Sequence, residues 1–401
     1  MKKIKSLLFL IVVSTVITAW AQTEKPDKDL SKEHDAEWYA HQAALWEKEV
    51  KNNPNDDDAW YYWFLTTRNK SVLEQPRHAN IDDMSNALIP IINKLHKERP
   101  DSYARYIIDY INYTWFSNMP NSGNKEAIHD NMLKAIKMRP DFKEMYTVYV
   151  TFLMRKGRTD LMADIIERWY KDGTYSYILL SFAYNCLAGM EENGILFVTR
   201  QEEALACLMV QYGKGLFQDR LIINLDLLQE TDYLEYVCRL LGVEAIQPPA
   251  DKNNSDYMNI WRENQIFSIA HNTKRPVYFT SIYKPEFFQE SLYSEGFVLK
   301  YSTKRYDNLA VKRRNYESVY LTDYLYETFV PESLGQSAYY VNLNFIPCFK
   351  SLLDYYKAQG MTTEYNGLRT LMTRIVETCV RLFASDRREY IMERYYNEID
   401  R

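Results

Sequence analysis

Glycine and proline are scarce in this chain, 12 and 13 among 401 residues. So few breakers exclude a turn-rich all-β protein and favour long amphipathic helices. Long apolar runs are also missing. Beyond Leu7 to Ile17 no stretch reaches the roughly 18 apolar residues of a membrane span. A basic surplus is absent, since 49 Lys and Arg face 54 Asp and Glu. That balance speaks against a nucleic-acid face or adhesion to anionic lipid. The six histidines (His34, His41, His78, His96, His129 and His271) are dispersed without metal-ligand spacing. No G-x-G-x-x-G, Walker loop or G-x-S-x-G elbow occurs, so nucleotide-cradle and serine-hydrolase readings lack a carrier. No metal and no cofactor is therefore expected. The five cysteines (Cys186, Cys207, Cys238, Cys348 and Cys379) form no C-x-x-C pair. They read as buried small hydrophobes, with one disulfide as the alternative.

What the chain does have begins at its N-terminus. Lys2, Lys3 and Lys5, the apolar run Leu7 to Ile17 and the small residues of Ala19-Trp20-Ala21 read as a secretory signal cleaved before Gln22. A retained membrane anchor is the alternative. Cleavage would leave 46 basic against 54 acidic residues. The expected destination is the periplasm, free or peripheral to the envelope. Residues 22–33 are polar and read as a flexible leader.

Tyrosine is abundant, 34 residues beside 8 Trp. Three turns share one signature: Asn53-Pro54-Asn55, Arg99-Pro100-Asp101 and Arg139-Pro140-Asp141. In each, a Pro stops one helix and an Asn or Asp is placed to cap an aromatic-rich successor. This pattern resembles the tetratricopeptide-repeat class, in degenerate form, over residues 34–190. The resemblance implies stacked helix pairs, with the aromatics filling the seams or, alternatively, lining a groove.

Residues 191–302 break the helical pattern. Ile195-Leu-Phe-Val198, Arg220-Leu-Ile-Ile-Asn224 and Pro276-Val-Tyr-Phe-Thr280 are short, apolar and β-branched or aromatic. They predict a small parallel α/β unit with strands buried on both faces. Glu295-Gly296 leads into a further strand that closes it. The series Gly194–Val198, Leu216–Leu228, Thr231–Leu234, Lys274–Phe279 and Glu295-Gly296 resembles the extracytoplasmic C-terminal region of a bacterial protein O-mannosyltransferase-like membrane family. That resemblance implies a soluble sugar-transferase-type lobe. Two departures speak against carrying activity over. Only Thr199 matches the family's Asp-rich loop after the first strand, and its multi-span membrane half has no counterpart in these residues.

Residues 303–337 read as an irregular connector whose Lys312, Arg313 and Arg314 form a solvated basic face, and 338–401 as C-terminal helices. The fold expected is thus mainly α, a tetratricopeptide-like helical-pair solenoid carrying a small inserted parallel α/β unit. In an open parallel sheet, ligands bind beyond the carboxyl ends of the strands. Here those ends bring Thr199, Arg200, Glu202, Glu203, Asn224, Asp226 and Thr280 as ligand-binding candidates. Glu202 and Glu203 are neighbours on a helix and face apart, which makes them a poor acid/base pair. Their plain role is to favour a helix N-terminus, and Asp226 is placed to cap the helix after it. No catalytic residue is assigned. The expected function is a non-catalytic scaffold that binds an envelope protein or peptide. Two alternatives are an accessory that binds glycans by stacking them on Trp60 or Trp261, and a hydrolase or transferase built on the Glu202/Asp226 edge.

Overall fold

The computed structural model describes residues 23–25, 34–74, 81–115, 124–251, 255–280, 286–326, 332, 336–383 and 385–400. Residues 1–22, which hold the expected signal, and most of the expected leader lie outside the described residues. Of the leader, Glu24 is tied down. Its N–H donates to Gln42 Oε1 at 2.8 Å and its carbonyl accepts from Trp46 Nε1 at 3.2 Å. The chain divides into two compact units, Met1–Glu144 and Met145–Arg401, a division that falls within the segment 34–190.

In the first unit, Pro54, Pro100 and Pro140 each stand two residues past a helix end. The helices are α1 (Ala36–Asn52), α2 (Asp57–Glu74), α3 (Ile81–Glu98), α4 (Tyr103–Trp115) and α5 (Lys125–Met138). The caps fall one residue later than the sequence pattern suggests. Asp56 Oδ1 accepts from Ala59 N, and Ser102 Oγ accepts from Arg105 N. Asn55 and Asp101 are thereby released for side-chain bonds. Arg99 donates to Asn55 Oδ1 at 2.6 Å and to Asp57 Oδ1 at 3.0 Å, so the second turn is bonded to the first. Arg139 of the third turn donates to Asp58 at 3.2 Å, and Tyr103 Oη donates to the same carboxylate. The aromatic run of α2 packs inward, with Trp60, Tyr61, Tyr62 and Phe64 all buried. Trp60 Nε1 finds the Pro54 carbonyl at 2.9 Å. Burial with a satisfied N–H is what an interior indole requires.

The second unit opens with α6 (Tyr146–Arg155), α7 (Thr159–Lys171) and α8 (Tyr177–Ala188), then enters the sheet. Its strands are β1 (Ile195–Val198), β2 (Leu221–Asn224), β3 (Val277–Thr280), β4 (Leu292–Ser294) and β5 (Val298–Tyr301), in the order β2-β1-β3-β5-β4. β1 pairs parallel with β2 and with β3, as the apolar runs predict. The closing strand departs from an all-parallel unit. β5 lies antiparallel to β3, and β4, a strand the sequence did not announce, pairs antiparallel with β5. For the β4–β5 pair the reason is connection length. A tight turn at Glu295-Gly296 joins β4 to β5, and only antiparallel strands accept so short a link. Every residue of β1 and β3 is buried, whereas edge strand β4 is only half-buried.

Between the strands run α9 (Gln201–Leu208), α10 (Thr231–Leu241) and α11 (Ser255–Asn272). Phe297, at the turn into β5, holds the sheet to the helices around it. Its ring meets Phe182 of α8 at 5.4 Å, Tyr320 at 5.2 Å, and Phe345 and Phe349 at 5.8 and 5.4 Å. Gly296 precedes it at φ +112°, where a Cβ would meet the Tyr320 ring at 2.7 Å.

The described residues of 303–337 are more ordered than their polarity suggests. They contain α12 (Asn308–Arg314), a π turn at Asn315–Val319 and α13 (Asp323–Tyr326). Lys312 is not on a solvated face. It is 3 % exposed and donates to Ser351 Oγ at 2.8 Å. The C-terminal helices are α14 (Gln336–Asn342), α15 (Phe345–Ala358), α16 (Thr362–Leu382), α17 (Ser385–Ile391) and α18 (Asn397–Asp400). Between α14 and α15 the helical run breaks after Asn342. Asn344 Nδ2 there bonds back to the Val341 carbonyl, a local bond that competes with helix continuation. All five cysteines are buried free thiols. Among the described residues no helix is long and apolar enough to cross a membrane.

Candidate functional site

β1 sits between β2 and β3, so the helix that leaves its carboxyl end starts where both neighbouring strands finish. Thr199 and Arg200 make the turn, and Gln201 opens α9. Gln201 Nε2 donates to Thr151 Oγ1, which fixes that helix start to α6. Glu202 and Glu203 follow in the first turn, and the helix period sends them apart. Glu202 is exposed, and its carbonyl accepts from Tyr175 Oη at 2.7 Å. Glu203 turns under the helix and is 2 % exposed. Thr280, the last residue of β3, donates from Oγ1 to Glu203 Oε2 at 3.3 Å. Glu203 Oε1 has no partner among the described residues. Burial pushes this carboxyl up to about 7. Arg200 and the Thr280 hydroxyl oppose the shift, and Glu202 adds to it.

The remaining candidates are used differently. Asn224, at the end of β2, is buried, and its Oδ1 accepts from Asp226 N at 2.9 Å and Leu227 N at 3.2 Å. Its backbone N–H donates to Tyr233 Oη at 3.2 Å. Asn224 therefore shapes the turn, and Asp226 makes no side-chain cap bond, in contrast to the role its position suggested. Asp226 is exposed, and its carboxyl is raised, first by partial desolvation. Arg262 acts against that shift and Glu202 with it. The structure thus joins Glu203 to Thr280, with Arg200 within electrostatic reach, and leaves Glu202 and Asp226 on the surface. Thr199 is half-buried beside them. What remains for chemistry at this edge is one buried carboxyl able to hold a proton near neutral pH.

Trp60 and Trp261 do not offer faces for stacking a sugar. They are 0 % and 5 % exposed, and Trp261 Nε1 is bonded to the Ile246 carbonyl at 2.9 Å.

A cleft of about 340 Å³ lies between the residues that precede β1 and β2 and the hairpin of β4 and β5. Glu191, Arg220, Glu295, Lys300, Tyr306 and Arg314 line it. Its walls are ordered by hydrogen bonds. Glu295 is 3 % exposed, and its Oε1 accepts from Tyr306 Oη at 2.6 Å. Its carbonyl accepts from Asn315 Nδ2 at 2.9 Å and Tyr320 Oη at 3.0 Å. Desolvation holds the Glu295 carboxyl above the usual range, against the pull of Tyr306, Lys300 and Arg314. Lys300 Nζ pairs with Glu191. Arg275, from the Arg-Pro-Val-Tyr-Phe run, precedes β3 and acts as a clamp. Its guanidinium donates to the Asn193 carbonyl at 2.6 Å and the Asp219 carbonyl at 2.8 Å, joining the starts of β1 and β2 to β3. Sequence reasoning missed this cleft. The one local signal is Glu295-Gly296, which in sequence marks only a strand entry.

Among the described residues no group of three or more His, Cys, Asp or Glu is placed to hold a metal ion. No protein-family model matches the chain, and no curated protein and no solved structure is similar enough to match it.

Proposed function

We propose that this chain is an exported, non-catalytic binding protein of the bacterial cell envelope, which uses stacked helix pairs to hold a protein or peptide partner. The observation that carries the reading is the bonding between turns in the first unit. Arg99 reaches back to Asn55 and Asp57, and Arg139 reaches back to Asp58. Both arginines converge on the first Pro turn and the start of α2, and such ties between Pro turns favour helix pairs packed side by side. Such stacking builds the extended surfaces with which helical-repeat proteins hold their partners. The tetratricopeptide-like resemblance of residues 34–190 agrees with it. So does the strand edge, where the buried carboxyl of Glu203 bonds a threonine and the neighbouring asparagine is spent on a turn. The mannosyltransferase-like resemblance of residues 194–301 is taken as ancestry of the lobe rather than as activity.

In-cell crosslinking of a tagged mature protein, followed by mass spectrometry of the adducts, tests this reading. A reproducible envelope-protein partner crosslinked to residues 34–138 is expected. Recovery of glycans or glycopeptides without a protein partner would move the function to a glycan-binding accessory.

A further inference from the structure

The cleft at the starts of β1 and β2 has the features of a built site. Its lining comes from five separate parts of the second unit, and most of its polar groups are oriented before any ligand arrives. Glu191 follows α8, and its N–H donates to Tyr278 Oη at 3.2 Å. Arg220 precedes β2 and has a side chain only 10 % exposed. It is held by Asp219 at 2.6 Å and the Met190 carbonyl at 3.2 Å, while its Nε has no partner among the described residues. Glu295 is locked through its backbone as well as by Tyr306. Lys300 lies over the rings of Tyr278 and Tyr306, at 5.9 and 5.5 Å from their centroids. Arg314 closes the rim from the end of α12. Its bond is to Asn315 Oδ1 at 3.0 Å, and it makes no ion pair among the described residues. Preorganised polar groups that converge on a concave space mark a small-molecule site, and the volume lies in the usual range for one.

The charges narrow the ligand class. Arg220, Lys300 and Arg314 stand against Glu191, Glu192 and Glu295, all in the lining. Two of these cations already have carboxylate partners in Asp219 and Glu191. With Asp219 counted, four carboxylates face three cations, but the extra one, Glu295, is buried and already bonded to Tyr306, so Glu192 and Arg314 are left to balance each other and no surplus of either sign faces a ligand. A neutral ligand loses nothing to this balance. Donors from the guanidinium groups and acceptors from the carboxylates suit hydroxyl groups, which donate and accept at once. The ring of Tyr306 adds an apolar surface.

We propose that this cleft binds an uncharged, hydroxyl-rich small molecule of the saccharide class. The site is separate from the helix surfaces assigned to the protein partner, so either assignment can fail alone.

The test is calorimetric titration of the full mature chain with glucose, mannose, galactose, N-acetylglucosamine, maltose and lactose. Glycine, acetate and phosphate serve as charged comparators. A glycan array run in parallel separates free sugars from the ends of longer chains. At least one neutral saccharide is expected to bind. Its Kd should rise at least about tenfold in Arg314→Ala and in Glu295→Gln, the scale of one lost charged hydrogen bond. Arg314 is exposed, so its substitution leaves folding intact, and melting curves of both variants check this. Binding of glycine, acetate or phosphate in place of the saccharides overturns the proposal. So does saccharide binding unchanged in both variants, or no binding by any neutral saccharide.

Discussion

Burial of the Glu203 carboxyl couples folding to pH. In the unfolded chain the group titrates near its ordinary 4.5, and in the folded protein at about 7. Below about 4.5 both states hold the proton. Between the two values the unfolded state releases it and the folded state keeps it, so stability falls as pH rises through this window and levels off above it. The shift corresponds to about 3 kcal/mol. Urea unfolding at pH 5 and pH 8 should therefore show the wild type losing stability at the higher pH. Glu203→Gln keeps the shape and removes the charge, so the variant should lose little and exceed the wild type at pH 8. Equal pH responses would show that the carboxyl is solvated. Gly296 poses a different residue-scale constraint. At φ +112° with the Tyr320 ring 2.7 Å from an added Cβ, Gly296→Ala combines backbone strain with overpacking. A cost of about 2–4 kcal/mol in chemical unfolding is expected.

At the scale of elements, the three short strands were readable because β-branched and aromatic runs of that length have few other places to go. Ile195–Val198, Leu221–Asn224 and Val277–Thr280 form within a residue of the runs that announced them. Pairing direction was not readable. The hydropathy of Val298–Tyr301 is the same in a parallel or antiparallel ladder, and the tight Glu295-Gly296 turn fixes only that β4 and β5 run antiparallel. The strand-edge candidates were only half legible for a related reason. Sequence places Glu202 and Glu203 at one helix start, yet which of the two turns inward depends on where Thr280 ends its strand. The cleft was illegible because its residues come from five segments and no local spacing joins them. Two substitutions probe how the elements are held. Phe297→Ala removes a ring shared by α8, α15 and β5 and should cost about 3–5 kcal/mol. Arg275→Ala frees the carbonyls that join the strand starts and should cost about 1–3 kcal/mol. Denaturant melts followed by near-ultraviolet circular dichroism check both.

At the scale of the whole molecule, a mainly helical chain carries a five-stranded mixed sheet in its second compact unit. Its net charge is −5. The proposed protein partner is placed on the first unit. The most direct measurement is site-specific photocrosslinking in cells. The crosslinker is carried in turn at exposed positions of α1 and α5 in the first unit and of α16 in the second. The account predicts one reproducible envelope-protein adduct from the first-unit positions, weakened when Arg99→Ala and Arg139→Ala loosen the bonds between the turns. Adducts that are indifferent to those substitutions, or that arise from α16 alone, would contradict it.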